Sequence, residues 1–264
     1  MSQRAVQLSY AAWIDEAASS LELAPPQKII EWSLKVFGEG LTIATGFGAE
    51  GMVLIDMASR VTTQLDVFFL DTGFLFEETY DLRRRVEDRY GIQILSYLPE
   101  LSPEEQEARF GAELWKRDPD LCCRIRKLEP LQQALAGRDA WMTAIRRDQT
   151  AARRDARAVE WDFRWELVKV NPLVTWNREQ VWEYIRANDV PYNPLQGRGY
   201  SSIGCTHCTR PVRPGEDERA GRWAGREKTE CGLHGPPPSV APLHLVTSSA
   251  TPSADLEAAC SSGD

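Results

Sequence analysis

LTIATGFGAEGMVLIDMAS, residues 41–59, decides how the chain is read. Its first five residues form an apolar, partly β-branched run of strand length. Gly46-Phe47-Gly48 then makes a turn, and Met52, Leu54, Ile55 and Ala58 follow at helical spacing. A strand that passes through a glycine turn into a helix is the repeating unit of a parallel α/β sheet. The glycines let backbone approach a phosphate closely, and the helix start offers unpaired N–H groups at the positive end of its dipole. On its own such a turn is more often only a tight connection, so the ligand reading needs support from elsewhere.

The flanking sequence continues the alternation. DVFFLD at 66–71 is too continuously apolar for a half-exposed strand, and Asp71-Thr72-Gly73 at its end adds weight to a ligand site at the strand ends. FEETYDLRRRVEDRYG reads as a charged helix stopped by Gly91, and IQILSYL at 92–98 as a third strand. Ser102-Pro103-Glu104-Glu105 has the form of a capping box opening a helix. Cys122 to Lys127 look helical, and Pro130 starts a helix ending at Gly137. AWMTAIR at 140–146 and ELVKVNPLV at 166–174 are further strand candidates, and Asn177 caps a helix with Val181, Tyr184 and Ile185 on one face. The expected fold is α/β, a mostly parallel twisted sheet with helices on both faces.

The 264 residues suffice for one large α/β domain or two small ones. Nine tryptophans and 42% apolar residues allow a sizeable core. No stretch reaches the roughly 20 apolar residues that cross a bilayer, and the N-terminus shows no signal pattern, so no membrane and a cytoplasmic address are expected. A net charge of −8 argues against nucleic acid as a partner. The arginines nevertheless gather in two runs, Arg146 to Arg157 and Arg210 to Arg226, which suit a small phosphate or sulfate ester when they are not simply solvated surface. Residues 236–264 hold five prolines, six serines and no Trp, Tyr, Phe, Lys or Arg, a composition that predicts a disordered tail with Cys260 as a passenger.

Six cysteines are too few for a disulfide scaffold of this length and point to metal binding or catalysis. Cys122 and Cys123 are adjacent, and Cys205 and Cys208 form a CxxC. Together they offer four thiolates to a cubane cluster or a structural zinc. Adjacent cysteines diverge, which suits different irons of one cluster better than a single tetrahedral ion; buried thiols beside a redox CxxC are the remaining alternative. Cys231 stands apart, next to Gly232 and close to His234, where a mobile backbone and nearby cations favour a reactive thiolate.

These residues resemble a known family. Cys122-Cys123-Arg124-Ile125-Arg126-Lys127-Leu128-Glu129-Pro130-Leu131 is similar to the CC-x-x-RK-x-x-PL segment of bacterial assimilatory adenosine 5′-phosphosulfate (APS) reductases, thioredoxin-dependent members of the PAPS/APS reductase family. Cys205-Thr206-His207-Cys208-Thr209-Arg210-Pro211, Arg219-Ala220-Gly221-Arg222-Trp223 and Glu230-Cys231-Gly232-Leu233-His234 resemble its C-terminal motifs. Gly48-Ala49-Glu50, Asp71-Thr72-Gly73 with Glu78-Thr79-Tyr80, and Arg146-Arg147-Asp148-Gln149 resemble its nucleotide site. The likeness spans about residues 40–235, with several separate motifs in order.

The resemblance implies an adenine nucleotide α-hydrolase-like core over about 40–200, a catalytic segment over about 201–235, and reduction of APS to sulfite and AMP in sulfate assimilation. It implies one 4Fe–4S cluster on Cys122, Cys123, Cys205 and Cys208, with Cys231 as the nucleophile that becomes an S-sulfocysteine. Thioredoxin or a glutaredoxin-like protein would then release sulfite. It places Lys127 between cluster and sulfate, Arg219 and Arg222 on the phosphosulfate, His234 among the catalytic groups, and Gly46, Gly48, Ala49, Glu50, Asp71, Thr72, Gly73 and Arg146 at the substrate. A homo-oligomer is compatible with all of this. The phosphate loop departs from many relatives, with Thr45 where they have an early serine and Gly51 where they have aspartate, and Ala224-Gly225 follows Trp223 where some have further tryptophans. Two rivals remain at this level, an ATP-dependent transferase or thiolase of the same nucleotide-binding superfamily and a zinc-stapled binding module.

Overall fold

The structure, a computed structural model, describes residues 3–234; the expected tail and Cys260 lie outside the described residues. Two helices that the sequence analysis did not anticipate come first, α1 (Gln3–Leu21) and α2 (Pro26–Phe37). The alternation then runs β1 (Leu41–Ala44), α3 (Ala49–Ser59), β2 (Val67–Leu70), α4 (Glu77–Tyr90) and β3 (Ile94–Tyr97). Three short helices follow, α5 (Pro103–Phe110), α6 (Leu114–Arg117) and α7 (Pro119–Cys123). The last passes through a π-helical turn, Arg124–Leu128, directly into α8 (Glu129–Leu135). The chain closes with β4 (Ala140–Met142), β5 (Val159–Asp162), β6 (Leu167–Val170) and α9 (Arg178–Asn188). Among the described residues no helix is long and apolar enough to cross a membrane.

The six strands lie in the order β3-β2-β1-β4-β6-β5. All pairs are parallel except β5 with β6. The central parallel strands β1, β2, β4 and β6 are buried on both faces, whereas edge strand β3 is partly exposed, and side chains alternate between two cores with the period of two that a strand imposes. Val67 and Phe69 of β2, Ala140 and Met142 of β4, and Val168 and Val170 of β6 pack with α1 to α4 and α9. Phe68, Trp141 and Leu167 point the other way and pack on Leu131, Ala134 and Leu135 of α8.

Local chemistry fixes the helix ends as the sequence suggests. Ser102 Oγ accepts from Glu105 N at 3.2 Å while Glu105 Oε2 accepts from Ser102 N at 2.7 Å, a capping box of the kind that contributes about 1 kcal/mol. Gly91 takes φ 64° and donates its N–H to Glu87 O, ending α4. Helix α3 is anchored through buried Asp56, which accepts from the hydroxyls of Tyr90 and Tyr184 at 3.0 and 2.7 Å. Two expectations needed correction. The fourth strand stops at Met142 rather than reaching 146, and the helix placed at Pro130–Gly137 is a continuation of the cysteine-bearing helix that begins at Glu129 and ends at Leu135.

Strand order reverses between β1 and β4, since β1 leads outward through β2 to β3 while β4 leads the other way through β6. In open α/β sheets the carboxyl ends of the strands at such a switch point diverge and leave a crevice.

Candidate active site

That crevice is present as a cleft of about 240 Å³, walled by the turn after β1, the ends of β2 and β4, and the C-terminal segment. Gly46, Gly48, Glu50, Thr72, Lys127, Arg219, Arg222, Cys231 and His234 all line it. The expected residues are thus drawn from five separate stretches of sequence to one place.

The turn after β1 is built differently from a flexible glycine loop. Neither Gly46 nor Gly48 has positive φ; the left-handed residue is Phe47, with φ 57°. Its ring is 1% exposed and packs edge-on against Phe69, with centroids 5.3 Å apart. Burial therefore holds a non-glycine residue in a strained conformation at the site. Thr45 Oγ1 accepts from Phe47 N at 3.0 Å and closes the turn. The glycines serve space instead: a Cβ on Gly46 would meet nothing within 4 Å, so its absence leaves cleft volume free, whereas a Cβ on Gly51 would lie 2.7 Å from Thr45 Oγ1. Helix α3 starts at Ala49 with no side chain capping it, so its first N–H groups and dipole end face the cleft.

Four thiols gather beside the cleft. Cys122, Cys123, Cys205 and Cys208 line one pocket together with Trp115, Arg126, Lys127 and Trp223. An antiparallel bridge between Leu75 and Cys205 brings the CxxC segment against the end of β2, where Thr72 Oγ1 lies 3.3 Å from Cys205 Sγ. Burial pushes the thiols of Cys122 and Cys123 up to about 11 and about 12, so they need a metal or a cation to become thiolates. Among the described residues no three His, Cys, Asp or Glu side chains converge closely enough to hold a single ion. The two basic residues that line this pocket are buried, and Glu104 acts on Arg126 from nearby. Arg126 donates to Gln106 Oε1, Thr72 O and Ser102 O. Lys127 makes no hydrogen bond or ion pair with any described residue, and it borders both the cysteine pocket and the cleft. Burial lowers its ammonium, but the thiols of Cys205, Cys231 and Cys123 outweigh that and hold it above the ordinary lysine value. Arg126 and Lys127 both lie in the π-helical turn, and both are buried there.

Cys231 is half-buried on the cleft side of Lys127. Burial alone would raise its thiol, yet Lys127, the backbone N–H of Leu233 and Arg222 bring it below the ordinary value. Arg219 and Arg222 stand over the same space, and the Nε of each is buried without a protein partner. Two unpaired guanidinium donors beside a glycine turn and a free helix start make a site for a doubly anionic group.

Some expected residues take other roles. Arg146 is fully buried and pinned by Glu50, Asp148 and Glu218 at 3.0, 2.8 and 3.0 Å, so it clamps the phosphate turn to the C-terminal segment and does not line the cleft. Asp71 accepts from Gly73 N and from the Tyr80 hydroxyl and shapes the turn after β2 from outside the cleft, as does Gly73, with φ 69°. Ala49 is buried and contributes backbone only. His234 stacks on Trp141, and burial with Lys169, Arg153 and Arg219 nearby holds it well below the ordinary 6.5. As a neutral ring it adds no positive charge to the thiol. The sequence analysis gave no site role to Arg153, Glu218, Glu230 or Trp141, all part of this site. Arg153 lay within the first arginine run and Glu230 beside Cys231, but nothing in their spacing marked them.

Residues 40–211 match the model of the phosphoadenosine phosphosulfate reductase domain. The chain is 50% identical over 222 residues to the adenosine 5′-phosphosulfate reductase of Halalkalibacterium halodurans, covering 84% of this chain and 96% of that one. It is 46% identical over 230 residues to adenosine 5′-phosphosulfate reductase 2 of Bacillus subtilis, covering 86% and 98%. Among solved structures, a phosphoadenylyl-sulfate (PAPS) reductase from Candida auris in a phosphate complex superposes with a TM-score of 0.67 at 35% identity, over 75% of this chain and 96% of that one. The FMN adenylyltransferase of Candida glabrata, 15% identical with a TM-score of 0.51 over 83% and 82%, shares the adenine nucleotide α-hydrolase-like fold alone.

Proposed function

The chain belongs to the phosphoadenosine phosphosulfate reductase domain family, and from that premise we propose that it reduces adenosine 5′-phosphosulfate to sulfite and AMP in sulfate assimilation. The observation that carries this reading is the placing of Cys231, a thiol lowered by Lys127 and Arg222, in the same cleft as the glycine turn and two arginines with unpaired Nε donors.

The cysteine pocket fits a 4Fe–4S cluster by the chemistry of its donors. Four thiols border one pocket, and the buried cations Arg126 and Lys127 line it with them. Cys122, Cys123, Cys205 and Cys208 would hold it, and when bound it would supply a fixed negative charge behind Lys127.

The chain's own residues account for the chemical step. The start of α3 and the turn after β1 seat the nucleotide's phosphate, and Arg219 and Arg222 hold the sulfate. Lys127 favours the thiolate form of Cys231 and stays beside the sulfuryl oxygens. The Cys231 sulfur attacks the sulfate sulfur; an S–S bond forms, and the S–O bond to phosphate breaks with its electron pair leaving on AMP. AMP departs as an anion, so the step requires no proton donor, which agrees with a neutral His234. The S-sulfocysteine is then attacked at Cys231 Sγ by one thiolate of a reduced dithiol protein of thioredoxin or glutaredoxin type. Sulfite leaves with the electron pair, and the second thiol resolves the mixed disulfide and regenerates Cys231. Two electrons pass from the dithiol to sulfur. The free thiols and their chemistry suit a reducing compartment such as the cytoplasm.

Anaerobic incubation with APS, followed by mass spectrometry of the Cys231 peptide, tests the proposal. One added SO3 on Cys231, released as sulfite by reduced thioredoxin, is expected; a protein that accepts only the 3′-phosphorylated analogue, or forms no adduct, overturns it.

A further inference from the structure

We propose that Glu230 is the positioning residue that seats the nucleophile, by gripping two cleft arginines through its carboxylate while its neighbour Cys231 faces Lys127. The inference rests on the reading of Cys231 as nucleophile given above.

The grip joins three stretches of chain. Arg153 donates Nε to Glu230 Oε1 and Nη2 to Oε2, each at 2.9 Å, the parallel fork of a bidentate pair. Thr150 Oγ1 donates to Oε1 at 2.9 Å, and Arg219 Nη2 donates to Oε2 at 3.3 Å and to Thr229 O at 3.1 Å. Arg153, Arg219 and Glu230 are only 8%, 13% and 11% exposed at their side chains, so the pairing is little screened. Despite burial, which raises it, the Glu230 carboxyl stays below the ordinary value because Arg153 and Arg219 favour its charged form.

Residues 224–234 contain neither helix nor strand, so tethers alone hold Cys231 in place. The other polar tethers are weak, and the apolar ones, His234 stacked on Trp141 and Leu233 against the Leu131 cluster, lie beyond Gly232. Lys228 pairs with Asp120, whose side chain is 81% exposed, and Arg226 and Arg164 reach single carbonyls of Lys116 and Gly232. Exposed contacts of this kind contribute little. Gly232, with φ 86°, gives the chain a pivot on the far side of Cys231. Glu230 is therefore the point at which a loose segment is bound to the cleft wall, one residue from the reacting sulfur. The same carboxylate takes one edge of the Arg219 guanidinium and leaves Nε, the donor without a protein partner, for an anion.

The test uses the full chain purified without oxygen. Glu230→Gln preserves shape but removes the charge that makes the fork. Single-turnover sulfonation of Cys231 by APS should slow by about tenfold or more, while AMP affinity changes by less than about threefold, because the turn after β1 does not touch Glu230. Alkylation of Cys231 by iodoacetamide, followed by mass spectrometry without APS at a pH high enough to ionise the thiol in both proteins, should accelerate as the segment leaves its seat. Thr150→Val removes one hydrogen bond of the grip and should act in the same direction less strongly; combined with Glu230→Gln it should add nothing further. A wild-type sulfonation rate, an equal loss of AMP affinity, or additive effects of the two substitutions would overturn the proposal. If Glu230→Gln does not fold, Thr150→Val with unchanged sulfonation and alkylation overturns it alone. Failure of the parent chain to form an adduct with APS counts against the reductase reading, and the alkylation rates still judge the seat.

Discussion

The imidazole of His234 lies on the indole of Trp141, with ring centroids 5.5 Å apart and planes inclined by 19°. The ring's Nδ1 is buried without a partner, and Lys169, Arg153 and Arg219 face it, so protonation is opposed from every side. Below about pH 6.5 the unfolded chain therefore takes up a proton at His234 that the folded chain refuses. The unfolded state binds more protons, so this residue's contribution to stability falls as pH falls. Replacing His234 with Gln should flatten that acid limb. Urea midpoints of parent and variant at pH 7.5 and 5.5 measure it, and an equal drop in both would remove His234 as its source.

Cys231→Ser should abolish both the S-sulfo adduct and sulfite release yet retain the brown colour of an iron–sulfur protein, because Cys231 stands outside the group of four thiols. Visible absorption and an end-point sulfite assay suffice. Substantial turnover by the variant would place the nucleophile elsewhere.

Lys127→Ala should slow sulfonation of Cys231 by at least about tenfold, equivalent to about 1.4 kcal/mol of transition-state stabilisation. AMP affinity should fall less than the rate, since the ammonium meets charge that shifts during the reaction. Lys127 is also the largest influence lowering the Cys231 thiol, so the pH at which the thiol becomes reactive should move upward in the variant. Rates of adduct formation between pH 6 and 9 give both quantities, and an unchanged rate with an intact chromophore would exclude Lys127 from the step.

Gly51→Ala places a Cβ 2.7 Å from Thr45 Oγ1, which must then release Phe47 N. Opening the turn should weaken AMP binding by about tenfold, in keeping with the 1–3 kcal/mol typical of overpacking. The double variant Thr45→Ala with Gly51→Ala, which removes the clash, should recover part of the loss. Calorimetric titration with AMP compares the three, and full affinity in the single variant would show that the turn does not seat the phosphate.

Much of this was legible in the residues themselves. The apolar runs at 41–45, 66–71 and 92–98 became β1, β2 and β3, and the signals at Ser102, Gly91 and Asn177 ended or began the helices they marked. Strands buried on both faces and helix ends with local caps obey short-range rules. Strand β5 escaped because Val159-Glu160-Trp161-Asp162 is a short polar-alternating edge strand, and its pairing with β6 depends on a hairpin rather than on an apolar run.

The sequence by itself determined the alternation of strands and helices from residue 41 onward and marked five cysteines as candidates for chemistry. Only the tertiary structure decided which charges are free to act. Arg146 and Arg153 lie in one loop and carry the same group, yet Glu50 and Glu218 consume the first while Glu230 turns the second to the segment bearing Cys231. Phe47 likewise takes the left-handed backbone between two glycines that do not, because its ring is buried against Phe69. A guanidinium's role and a strained φ are both set by partners distant in sequence, and the strength of those partners depends on separation and burial that the folded chain alone defines.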